Sequence, residues 1–129
     1  MAVSISLASF ISADFVRLFE FYSKTFDLPE VEALRSEIFR GADVSGLTLG
    51  FSAPVVYEML HIQEWADPKG TTQYLTFEMP SDNEVTAATG RAVENGASEL
   101  HEPYETYYNA WQSVLSDPDG NVFRINHFR

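Results

Sequence analysis

The chain has no cysteine, eight basic residues against nineteen acidic ones, and no apolar run near the roughly 20 residues that a membrane-crossing helix needs. The first absence excludes disulfides, thiolate catalysis and cysteine-ligated zinc. The second leaves a formal net charge of -11, which repels nucleic acid and anionic lipid and points to neutral or cationic partners. Solubility alone is the competing account of that acidity. The third, with an N-terminus that lacks the basic, apolar, small-residue layout of a secretion signal, makes the cytoplasm the expected location.

What is present is enough for a core. A chain of 129 residues, 45% of them hydrophobic, is expected to fold as one domain, 1–129, burying about two thirds of its unfolded surface. Residues 3–11 alternate and are β-branched enough for a strand. Ser12 or Asp14 then caps a helix whose Phe15, Leu18, Phe19, Tyr22 and Phe26 recur at helical spacing. Pro29 closes the helix region. Glu37–Arg40 and Leu47–Ser52 read as short strands around a turn region at 41–46, and 53–71 as a connector with a helical turn near 55–60.

The second half starts over. Tyr74 to Asp82 echoes Leu7 to Asp14, each a strand ending in a hydroxyl or acidic cap before a helix. The second helix carries Val85, Ala88, Thr89, Ala92 and Val93 on one face and stops at Asn95-Gly96. Strands are expected at about 98–101, 110–116 and 121–127, with a loop from His101 to Trp111 between the first two. Asp117-Pro118-Asp119-Gly120 is a hairpin signal, because proline presets φ, aspartates bond their own backbone and glycine accepts positive φ. The order is β-α-β-β-β, twice, in half-repeats of about 3–52 and 72–128.

The doubled unit, Phe21-Tyr22 in the first helix, Glu94-Asn95-Gly96-Ala97 at the end of the second, and the run Ser116 to Ile125 (SDPDGNVFRI) together resemble the vicinal oxygen chelate superfamily, the glyoxalase, bleomycin-resistance and dioxygenase group. The resemblance implies an α+β fold in which two βαβββ repeats form a cupped mixed sheet with helices on its outer face. It does not imply one activity, since the group holds isomerases, dioxygenases, epimerases, thiol transferases and non-catalytic drug binders. Its metalloenzymes hold a divalent ion with side chains, usually His, Gln or Glu, on the first and last strands of each half. Carried onto this chain, those four places fall at Leu7, Gly50, Tyr74, with Gln73 beside it, and Arg124. An aliphatic side chain, a glycine, a phenol and a guanidinium that only donates form no metal cup. His61, His101 and His127 have no spacing that resembles a metal motif. No metal and no cofactor are expected.

Strand alternation then fills the cup. Leu7 and Ser9 are expected to face it from the first half, and Tyr74, Thr76, Glu78, Arg124 and Asn126 from the second. The loop adds Tyr104, Tyr107, Tyr108 and Trp111, large stiff surfaces with a polar handle that suit a flat ligand. Phe39, Phe51 and Trp65 are candidates for further wall, with core packing the competing reading for the two phenylalanines. The tyrosines would equally close a sheet end or fill a dimer interface. Arg124 is expected either to pair with Glu78 or another carboxylate or to hold a ligand oxygen through paired N–H bonds.

Three functions fit. The first is a metal-free protein that sequesters a small aromatic ligand such as an antibiotic, with no catalytic residue. Drug-binding members of the group resemble homodimers whose pockets are shared between chains, so a homodimer is expected. The second is an enzyme of the same fold, with shifted metal ligands or a cofactor-free acid–base site on Tyr74, Arg124 and Glu78. The third is an interaction module with a vestigial cup.

Overall fold

The computed structural model describes residues 5–66 and 73–129, and of Trp65 the backbone alone. The chain divides into two units, Met1–Lys69 and Gly70–Arg129. The first runs β1 (Leu7–Ile11), α1 (Phe15–Phe26), β2 (Phe39–Val44), β3 (Leu47–Ser52) and a short helix α2 (Val56–Met59). Its sheet has the order β1-β3-β2. β1 lies parallel to β3 with Ser9 opposite Gly50, and β2 is antiparallel to β3.

Of the two cap candidates Asp14 is the N-cap of α1, and Ser12 holds the cap residue's own amide. The Asp14 carboxylate accepts from the Arg17 amide at 3.3 Å, and Ser12 Oγ accepts from the Asp14 amide at 3.1 Å. Leu18, Phe19, Phe21 and Tyr22 are buried, and the helix ends at Asp27 in the left-handed region. Phe10 stacks on Tyr22 and on Phe51 with centroids at 5.4 and 5.6 Å, and those two rings are 5.7 Å apart. Such pairs add about 0.5–1.5 kcal/mol each beyond burial, so this aromatic stack anchors α1 to the sheet.

Two expectations for this unit are corrected. β2 begins at Phe39 and continues through Gly41 to Val44, which had read as turn; the turn is only Ser45-Gly46, with φ of 51° and 95°. That two-residue hairpin needs both left-handed positions. The fourth strand is reduced to a single bridge between Glu30 and Ala42. Pro29 precedes it without an N–H to donate, and a 3₁₀ turn at Glu32–Leu34 follows, so pairing cannot extend in either direction.

The second unit completes the pattern with β4 (Leu75–Glu78), α3 (Asp82–Glu94), β5 (Ser98–Glu105), β6 (Ala110–Ser116) and β7 (Val122–Phe128), in the sheet order β4-β7-β6-β5. β4 is parallel to β7, as β1 is to β3. Ser81 caps α3 by accepting from the Glu84 amide at 3.2 Å. Val85, Ala88, Thr89 and Ala92 are buried beneath it, whereas Val93, expected on that face, is exposed. At 3.6 residues per turn it lies about 80° around the helix from Val85. Thr89 Oγ1 donates to the Val85 carbonyl and shares a hydrogen bond with Ser113 Oγ, both at 2.7 Å, tying helix to sheet.

The expected loop from His101 to Trp111 is a hairpin. β5 runs on past Pro103 through register shifts, and only residues 106–109 turn. Proline sits where the ladder is already interrupted, which is where a strand tolerates it. Among the described residues no helix is long and apolar enough to cross a membrane.

The 117–121 turn works through one side chain. Asp117 Oδ1 accepts from the amides of Asp119 and Asn121, both at 2.9 Å, and Asn121 Nδ2 donates to Oδ2 at 2.9 Å, while Gly120 takes φ of 88°. Asp117→Ala leaves these part-buried donors without their charged acceptor and is expected to lower stability by about 1–3 kcal/mol in urea unfolding. Asp117→Asn, which keeps one oxygen, is expected to lose less.

Candidate functional site

In a parallel pair the residue on the last strand selects its neighbour on the first, and the two units make the same selection. Thr76 lies opposite Arg124 and Glu78 opposite Asn126, as Ser9 lies opposite Gly50 and Ile11 opposite Ser52. β6 places Val114 beside Arg124 and Gln112 beside Asn126. Side chains of paired residues share a face. Arg124, Asn126, Thr76, Glu78 and Gln112 therefore lie on the sheet face away from α3, while Trp111, Ser113, Phe123 and Ile125 face the helix.

Arg124 organises that face. Its Nε donates to Thr76 Oγ1 at 2.9 Å, and its Nη1 donates to Gln112 Oε1 at 3.1 Å and to the Tyr108 hydroxyl at 3.3 Å. The guanidinium carbon stands 4.9 Å from the centroid of the Tyr74 ring, a cation–π contact. Gln112, only 3% exposed, is the hub. Its oxygen also accepts from the Tyr108 hydroxyl at 2.7 Å, and its Nε2 donates to the Tyr104 hydroxyl at 3.1 Å. The Tyr104 ring lies 4.1 Å from that of His101.

Arg124 does not pair with Glu78. Both Glu78 oxygens are taken at 2.8 Å, one by Asn126 Nδ2 and the other by the Phe128 amide. Asn126 is 1% exposed, and its Oδ1 has no hydrogen-bond partner among the described residues. A buried carbonyl left in this state costs about 1–3 kcal/mol, so Asn126 is held by its Glu78 bond and by packing.

In the first unit the matching face is closed. The Phe39 ring lies over two glycines, and a Cβ added at Gly50 would meet its Cε1 at 2.8 Å and Ser9 Oγ at 2.9 Å; one added at Gly41 would meet Cε2 at 3.3 Å. Ser9 Oγ lies 3.2 Å from Ser52 Oγ, and Leu7 is exposed. The four places at which the family resemblance implied metal ligands thus hold an exposed aliphatic side chain, a glycine whose side-chain space a phenyl ring occupies, a tyrosine beneath a guanidinium, and that guanidinium itself. This donor set does not fit a divalent cation. Among the described residues no three of His, Asp or Glu converge as a metal group would require.

The sequence-derived candidates therefore separate. Tyr74, Tyr104, Tyr108, Arg124, Asn126 and Glu78 share the face of the second unit. Tyr107 stands 99% exposed at the hairpin tip, edge-on to Tyr108 at 5.0 Å. Leu7, Ser9 and Phe39 share the face of the first unit. Phe51, a candidate for wall with core packing as the competing reading, is 0% exposed in the core under α1, because it lies one step from Gly50 and so turns to the other side. The side chain of Trp65 lies outside the described residues. Trp111 faces α3, where its Nε1 donates to Thr86 Oγ1 at 3.0 Å and the Arg129 guanidinium stands 5.7 Å from its ring. Gln112 was not singled out; its signal is its alternation with Trp111 on the strand that pairs with Arg124.

Three comparisons bear on this arrangement. The family model described as Glyoxalase/Bleomycin resistance protein/Dioxygenase superfamily matches residues 4–125. The crystal structure of a glyoxalase/bleomycin resistance protein/dioxygenase family enzyme from Burkholderia phytofirmans PsJN is 35% identical, with a TM-score of 0.96 over 98% of this chain and 100% of that one. A lactoylglutathione lyase from Agrobacterium tumefaciens superposes with a TM-score of 0.73 at 17% identity, covering 98% and 95% of the two chains. A genomically encoded fosfomycin resistance protein from Listeria monocytogenes gives 0.75 at 17%, covering 100% and 97%. These last two likenesses speak for the fold alone. No curated protein matches the chain in sequence.

Two measurements check the geometry. Gly50→Ala is expected to cost about 1–3 kcal/mol by overpacking, and most of that cost should vanish in a Phe39→Ala background; a double-mutant cycle in urea reads the coupling. On the helix side, Arg129 pairs with Asp82 at 2.6 Å and also with Glu105. The hydrogen bond from Arg129 holds the Asp82 carboxyl below the usual carboxylate range. A depressed folded-state pKa stabilises above the unfolded value and is lost as pH falls through the folded one. The stability gap between wild type and Asp82→Asn should therefore be open at neutral pH and close below about pH 4.

Proposed function

The chain belongs to the glyoxalase/bleomycin resistance protein/dioxygenase superfamily, and within it we propose a metal-independent binding protein that sequesters a small aromatic molecule of the antibiotic type without transforming it. The observation that carries this reading is Arg124. It stands where the family's metalloenzymes would place a carboxylate, and it is fixed by Thr76, Gln112 and Tyr108 and stacked on Tyr74. A guanidinium so held repels a metal ion and supplies ready-oriented donors beside tyrosine rings. Clefts that retain flat ligands combine apolar surface with a few such polar groups.

The alternative acid–base enzyme on Tyr74, Arg124 and Glu78 asks Glu78 to serve as a base. Its two oxygens already accept from Asn126 Nδ2 and the Phe128 amide, which hold it in place on the sheet and away from Arg124, with no hydrogen bond between the two. The proposal includes a homodimer with two equivalent sites, in keeping with the drug-binding members that the chain resembles.

Calorimetric titration of the metal-stripped protein with planar aromatic antibiotics is the test, with the ligand recovered afterwards and checked by mass. Saturable binding, unchanged by added divalent metal and with intact ligand recovered, is the expected result. Binding that requires metal, conversion of the ligand to a product, or no binding at all would overturn the proposal.

A further inference from the structure

A guanidinium has five N–H donors. In Arg124 the Nε donor goes to Thr76 Oγ1, and Nη1 serves Gln112 Oε1 and the Tyr108 hydroxyl. Nη2 donates to no described residue. All three partners are neutral, and Glu78, a carboxylate on the same face, has both oxygens engaged by Asn126 and the Phe128 amide. The chain holds 19 acidic side chains to 8 basic ones. Carboxylates are therefore abundant, yet this half-buried cation is paired with none among the described residues.

From this we infer that the ligand carries a carboxylate, and that Arg124 binds it through Nη2. The inference rests on the small-molecule reading above and sharpens it, because the net charge of -11 taken alone points to a neutral or cationic partner. Local charge decides over the global sum. At physiological ionic strength the Debye length is about 8 Å, so most of the surface acids are screened from a ligand in contact with the guanidinium. A charge-assisted hydrogen bond is roughly twice as strong as a neutral one. Among acidic oxygen groups a carboxylate is ionised at neutral pH, whereas a phenol with an ordinary pKa of about 10 is not. Tyr74 holds the guanidinium plane from one face, and Tyr108, whose bond to Nη1 is the longest of the three at 3.3 Å, is the partner a second carboxylate oxygen would displace.

Three probes that share one ring system separate the possibilities: 2-naphthoate, 2-naphthamide and 2-naphthylmethylammonium, each titrated calorimetrically into the metal-stripped wild type. The expected result is that naphthoate binds about tenfold or more tighter than the amide, with the ammonium weakest. Arg124→Gln, which keeps a donor but no charge, should remove the gap between naphthoate and amide. Arg124→Lys, which keeps charge without the fork, should retain part of it. Should Arg124→Gln fail to fold, loss of the gap in wild type as salt is raised gives the same reading. Naphthoate and amide binding equally well would overturn the carboxylate while leaving aromatic capture standing, and tighter binding of the ammonium would overturn it likewise. No binding of any probe would overturn both.

Discussion

In each unit the strand that opens the repeat pairs in parallel with the strand that closes it, and the candidate site depends on that closure. Glu78 and Asn126 are 48 residues apart in the chain and 2.8 Å apart between side-chain atoms. The entropic cost of joining such distant segments grows only slowly with loop length, each doubling adding about 0.6 kcal/mol. Burial of Phe123 and Ile125 beneath α3, and of Leu49 and Phe51 beneath α1, offsets it. Once register is set, every cross-strand neighbour follows, and a slip of one residue would send Arg124 to the helix side and Ile125 to solvent.

The two units apply this plan with opposite results. In the first, glycine at two neighbouring positions lets the Phe39 ring lie against the backbone, beside a hydroxyl pair from Ser9 and Ser52. In the second, the matching place carries the longest and most donor-rich side chain available, and a buried glutamine, a threonine and two tyrosines are spent on orienting it. One repeat holds a phenyl ring over its glycines and the other a hydrogen-bonded guanidinium. The first unit also tolerates the loss of a strand: a single bridge at Glu30 stands where β5 runs for eight residues in the second.

Much of the frame was legible in residue patterns because it rests on local physics. Helical spacing of Phe15, Leu18, Phe19 and Tyr22, the Ser81 and Asp14 caps, Asn95-Gly96, and the aspartate–proline–glycine turn all act within a few residues of themselves. What failed did so where a long-range contact overrode a local preference. Gly41 looks like turn but is strand, because a phenyl ring from two residues away covers it and β3 pairs with it. The tyrosine-rich segment looks like a loop because it contains Pro103, but the pairing of Tyr104 and Glu105 with β6 carries the strand through.

By itself the sequence determined the repeat, the two helices and their caps, and the hairpin turn; these depend on residue identity and near neighbours alone. The tertiary structure decided which aromatics can act together. Trp111 and Tyr108 are three residues apart, yet Trp111 lies on β6 facing α3 while Tyr108 lies in the hairpin turn before it, so one hydrogen-bonds to α3 and the other to the ring of partners around Arg124. It also decided that Arg124 would be held by neutral groups rather than neutralised by Glu78. Charge counts cannot reveal that, because it depends on which donors reach the glutamate oxygens first.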